Sequence, residues 1–111
     1  MEEGTELFDG DSRKSAEALR ALAESLEQAL DQATSVILMR HSQELCTVYL
    51  GDPSGPREEL CKTATISRSL ADEMLVLTSS GSNRLQIGDQ HYRFARTFTQ
   101  VGETAAIVFS P

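Results

Sequence analysis

With 111 residues, 40% of them hydrophobic and 24% charged, the chain has the composition of one small globular domain rather than of a disordered segment. It has no Trp, two Tyr and four Phe, so its core has to be aliphatic and is thin for a domain standing alone. The net charge of −7 argues against direct contact with nucleic-acid phosphates. No apolar run approaches the roughly 20 residues that cross a bilayer, so membrane insertion is not expected.

The charge is unevenly placed. Residues 1–31 hold nine acids against three bases, a net of −6, whereas residues 32–111 are nearly balanced at −1. Residues 1–11 therefore read as a flexible acidic arm ahead of a single α+β interaction domain over 12–111. Leu7 and Phe8 are the arm's only apolar pair, either incidental or a short motif that docks on a partner. "MEEGTELFDGD" is acidic and has no apolar segment of the signal-peptide type. The expectation is a soluble intracellular protein, in cytoplasm or nucleus, with reduced and mostly buried thiols at Cys46 and Cys61. Neither Cys has a second Cys or a His close by, so the spacing is not that of a metal site.

Asp11 or Ser12 is suited to cap a helix, since a short side-chain oxygen accepts from the first unpaired amides. From Ser12 to about Ala33 nearly every residue is a good helix former. Leu19, Leu22, Leu26, Ala29 and Ala33 recur at steps of three and four, with Leu30 beside them, and charged residues fill the opposite face. This amphipathic stripe has two uses open to it. It can cover one face of a sheet, as in two-layer α+β domains, or pair in coiled-coil fashion with a helix of another chain. Both hold if its C-terminal half packs on the sheet and its N-terminal half reaches outward. On the partner reading, Leu22→Asp abolishes binding and leaves the sheet folded.

After Thr34 the period changes to that of strands. "SVILMRHS" and "LCTVYLGD" read as a pair joined by the polar turn at 41–44, and "GDPSGPRE" as a loop. Residues 59–79 are ambiguous. As strands, "KTATIS" and "MLVLTS" flank a short helical turn at 69–73, which β-propensity favours; as a helix, Leu60, Ala64, Ser67, Ala71 and Leu75 share a face. "SSGSN" reads as a turn. Leu85 and Ile87, a Gly88-Asp89 turn, then Tyr92 and Phe94 in alternation form the clearest hairpin. Arg96 breaks that alternation, which suggests a bulge or emergence into solvent. "TAAIVF" is apolar on both faces and reads as a central buried strand. The expected architecture is one long N-terminal helix followed by an antiparallel sheet of five or six strands, or, with a second helix at 59–79, a Roadblock-like order.

No residue set carries a catalytic claim. The Ser residues lack a nucleophile-elbow context, Asp89 and His91 read as a hydrogen-bonded pair at a hairpin tip, and "TSSGSN" lacks the lysine of a phosphate loop. No enzyme, cofactor or small-molecule substrate is expected. Arg84, Arg93 and Arg96 fall close together, either to bind an anion or an acidic peptide, or to pair with the chain's own acids.

Two resemblances follow from element order. With a helix at 59–79, "SVILMRHSQELCTVYL" and "ETAAIVFSP" resemble the first hairpin and last strand of the Roadblock adaptors, which implies dimerisation through sheet edges and a scaffolding role. The adaptors' closing helix has no counterpart here, and the leading helix is longer. With strands there, "LVLTSSGSNRLQIGDQHYRF" resembles the end of small phage head–tail joining proteins. The expected function is a non-enzymatic interaction module, a small subunit or adaptor of a larger complex. It would bind a protein partner or its own copies through Leu19, Leu22, Leu26 and Leu30, through Leu7 and Phe8, through Arg93 and Arg96, or through a sheet edge. The alternative is a self-assembling structural or chaperone-like protein of ring, joining or secretion type.

Overall fold

The computed structural model describes residues 13–111 in full and residues 2–12 only as helical backbone. The expected arm at 1–11, the capping roles of Asp11 and Ser12, and the docking pair Leu7–Phe8 lie outside the described residues.

Helix α1 (Glu2–Asp31) is followed by strands β1 (Ser35–Arg40), β2 (Leu45–Gly51) and β3 (Cys61–Ser67). Helix α2 (Arg68–Leu77) then leads to β4 (Gly81–Ile87), β5 (Gln90–Val101) and β6 (Thr104–Ser110). The six strands form one antiparallel sheet in the order β3-β2-β1-β6-β5-β4. Two three-stranded meanders thus meet at the central β1–β6 pair. α2 is the link between them, carrying the chain from one sheet edge to the other. This is the expected α+β architecture.

The sequence explains which strands are central. β1 contributes Val36, Ile37, Leu38 and Met39, and β6 contributes Ala106, Ile107, Val108 and Phe109, all buried. Such runs have no polar face, so they need cover on both sides of the sheet. On one side, Val36, Leu38, Ile107 and Phe109 join Tyr92 and Phe94 of β5 beneath Ala18, Leu22, Leu26 and Ala29 of α1 and Ala71 and Met74 of α2. Phe94 and Phe109 meet edge to face, with ring centroids 5.7 Å apart. On the other side, Ile37, Met39, Val101, Ala106 and Val108 form a second, smaller cluster with Tyr49 and Leu60. Among the described residues, none from a helix joins that cluster. The loop from β2 to β3 serves instead, and Leu60 lies so close to Gly51 that a Cβ there would stand 2.5 Å from its Cδ2.

Residues 59–79 are neither two strands nor one helix. "KTATIS" lies within β3, whereas "MLVLTS" is not a strand: it forms the end of α2 and the turn after it. Ser67 starts that helix, its hydroxyl accepting from the Leu70 amide at 3.1 Å. Leu70, Ala71, Met74 and Leu75 then repeat at helical spacing and turn toward the core. Packing of that face outweighs the local strand preference of Leu, Val and Thr. With three strands ahead of the second helix instead of two, the element order departs from the Roadblock-like one.

α1 ends through a Schellman motif. The Thr34 amide donates to the Ala29 carbonyl at 2.9 Å and the Ala33 amide to that of Leu30 at 3.2 Å, with Ala33 at φ 53. An alanine Cβ is disfavoured in this left-handed region and glycine is not. Ala33→Gly is therefore expected to raise stability by about 0.5–1 kcal/mol. A shift of the urea midpoint to higher concentration, with unchanged slope, checks it.

Candidate functional site

The leucine stripe goes largely into the chain's own core. Leu22 and Leu26 are each 1% exposed beneath α1, Leu19 is half-buried, and only Leu30, at 54%, faces outward. Leu22 and Leu26 are thus not available to a partner. Ala18, which has no bulk to advertise it in the sequence, is fully buried in the same row. The helix is also tied by polar contacts, with Ser15 donating to the Glu73 carboxylate of α2 at 2.8 Å and the Tyr92 hydroxyl donating to that of Glu27 at 2.6 Å.

That last bond keeps the phenol protonated, and together with burial it raises the Tyr92 pKa above its usual value. A neutral group whose folded pKa is raised contributes stability that is complete below its unfolded pKa, about 10, and is lost as pH rises through the folded value. Tyr92→Phe is accordingly expected to flatten the loss of stability above about pH 10. Urea unfolding of both proteins between pH 8 and 11 measures this.

The three hairpin arginines separate. Arg96 neither forms a bulge nor emerges: it pairs in register with Phe109, and its Nη1 donates to the carbonyls of Leu75 and Thr78 at 2.9 Å each and to the Thr78 hydroxyl at 3.0 Å. A cation here meets the negative end of α2. Its guanidinium also lies 5.4 Å from the ring centroid of Phe98, which is 60% exposed. Phe98 borders a 130 Å³ cleft with Leu38, Arg40, Ala105 and Ile107, where the two helices no longer cover the sheet.

Arg84 and Arg93 behave differently. They are directly opposed across β4 and β5, and both are exposed. Alternation fixes their side of the sheet. Tyr92 and Phe94 point to the helices, so Arg93 points to the open face, together with Arg84, Gln86 and His91. The only ion pair among the described residues joins Arg40 to Asp72 at 3.7 Å, so neither Arg84 nor Arg93 is matched by one of the described acids.

Both edges of the sheet are open. β3 pairs only with β2, and β4 only with β5, so each seven-residue strand leaves outward backbone groups unpaired by the sheet. β3 is exposed along nearly its whole length and carries one charge, Lys62. β4 carries Arg84.

The cysteines are free. Cys46 is buried, as expected, and burial raises its thiol pKa, whereas Cys61 is exposed, against the expectation of mostly buried thiols. They pair with Ile66 and Leu50 respectively, at opposite ends of the β2–β3 ladder, which keeps them too far apart for a disulfide. His41 is bonded to the Tyr49 hydroxyl at 3.3 Å, and His91 lies in the exposed hairpin. Of "SSGSN", expected as a turn, only Ser79 and Ser80 lie between elements: Gly81, Ser82 and Asn83 already belong to β4, and the Asn83 side-chain amide donates back to the carbonyls of Ser79 and Gly81. Among the described residues no three of His, Cys, Asp and Glu converge on one point, and no helix is long and apolar enough to cross a membrane. Comparison with protein families, curated proteins and solved structures finds no match to this chain.

Proposed function

We propose that this chain is a non-enzymatic protein-interaction module, a small subunit or adaptor of a larger complex, that binds through the open edges of its sheet. The observation that carries this reading is the pair of free seven-residue strands, β3 and β4, at opposite ends of one sheet. A strand added at either edge satisfies main-chain donors and acceptors in one step, and side chains at alternate positions supply selectivity. The helix stripe does not take part beyond Leu30, because its other leucines are buried or half-buried.

The test is amide exchange on the chain purified with its native partners, compared with the isolated chain. Slowed exchange over 61–67 or 81–87 in the complex is the expected result. A chain that remains monomeric in native extracts, or a complex that leaves both edges unchanged, overturns the reading. The same two edges also support the second reading, self-assembly, since β3 of one copy beside β4 of the next would extend the sheet. Light scattering over a hundredfold concentration range separates the two: growth without a partner favours self-assembly.

A further inference from the structure

We infer that the β4 edge receives an extended segment of another protein that presents a carboxylate to Arg84 and Arg93 on the open face of the sheet. The inference rests on the edge reading above and gives the partner its chemistry. Like charges directly opposed across a ladder repel each other, and here no described acid offsets the pair. The described acids of α1, Glu17, Glu24, Glu27 and Asp31, belong to the helix that packs on the opposite side of the sheet, where Glu27 is bonded to Tyr92.

The free edge lies beside these arginines. Ser82, Arg84 and Gln86 of β4 share the open face, while Leu85 and Ile87, both half-buried, turn to the helical side and pack against the main core. A strand laid antiparallel to β4 places one residue directly opposite Arg84, with Cβ atoms about 5 Å apart. A Glu there meets Arg84 directly, and Arg93 lies one strand further, within reach of its long side chain. The residues on either side of that Glu turn the other way, toward Leu85, and are favoured when apolar. The preferred segment thus alternates apolar residues with polar ones around a central acid.

A second copy of β4 is a poor occupant. Antiparallel pairing of β4 with itself keeps matching faces together, so it gathers Arg84, Arg93 and their two counterparts on one surface. Charge on an edge strand is a common guard against such self-pairing.

The experiment uses the full chain and two fluorescein-labelled peptides, Val-Thr-Val-Glu-Val-Thr-Val and its counterpart with Lys in place of Glu. Anisotropy titrations are expected to give a Kd at least tenfold lower for the Glu peptide. The exposed double variant R84Q/R93Q is expected to erase that preference, R84E/R93E to reverse it, and the Glu peptide to slow exchange of amides within 81–87. No binding of the Glu peptide, equal affinity for both peptides, or binding without slowed exchange in β4 overturns the inference. Protection of β3 alone in the native complex also overturns it, while leaving the edge reading intact.

Discussion

Leu22→Asp is expected to unfold this chain, not to release it from a partner. Leu22 is 1% exposed, in one row with Ala18, Leu26 and Ala29, and that row is the roof of the main core. The substitution forfeits the burial of a leucine, worth about 2–5 kcal/mol when truncated to alanine. It also sets a carboxylate where no water reaches, which adds several kcal/mol unless the group takes up a proton. Together these rival the whole stability of a small domain, roughly 5–15 kcal/mol. Far-UV circular dichroism and amide exchange should show a chain without cooperative unfolding at pH 7. Leu22→Ala should fold with a loss of about 2–5 kcal/mol, and Leu30→Asp, at an exposed position of the same helix, should stay within about 0.5 kcal/mol of the parent. A folded Leu22→Asp protein with native exchange rates would remove the stripe from the core.

The second large effect is at Arg96. Its Nη1 serves three acceptors at the C-terminal end of α2, the Leu75 and Thr78 carbonyls and the Thr78 hydroxyl, while its Nε is buried without a partner. Arg96→Met keeps most of the apolar stem and removes the donors. The Leu75 carbonyl keeps the Thr78 amide at 3.4 Å but the Thr78 carbonyl loses the Arg96 donor, which costs about 1–3 kcal/mol, and the lost cation at a helix C-terminus adds about 0.3–1 kcal/mol. The expected total is about 2–3 kcal/mol in urea unfolding. Amide exchange should rise in α2 more than in α1, because Arg96 anchors the end of α2 to β5. Arg96→Lys, which keeps the charge without the planar fork, should fall between the two. A uniform rise in exchange over all elements would mean that Arg96 contributes to the sheet itself and not to the seat of α2.

The apolar surface that α1 leaves exposed is smaller than its leucines suggest. The spacing offers every leucine of the stripe to an interface, yet α1 commits Leu22 and Leu26 to the sheet and leaves only Leu30 of them well exposed. Arg93 lies exposed on the open face; Arg96, its neighbour by three, is turned inward to α2. The odd-numbered Arg93 and even-numbered Arg96 fall on opposite faces of one strand, and that parity was readable. What the acceptors of Arg96 would be was not, because they lie on a helix some 20 residues away in sequence.

The long first helix, the hairpins at 35–51 and 84–94 and the central place of "TAAIVF" are legible in the residues alone, since each follows from a local period, a turn residue or a two-faced apolar run. That 68–77 is a helix and that the leucine stripe roofs the core emerges from long-range packing. It alone placed the open edges at β3 and β4. Those outcomes depend on which distant surface each segment meets, and that pairing of sheet face with helix face is not written in any single stretch of the chain.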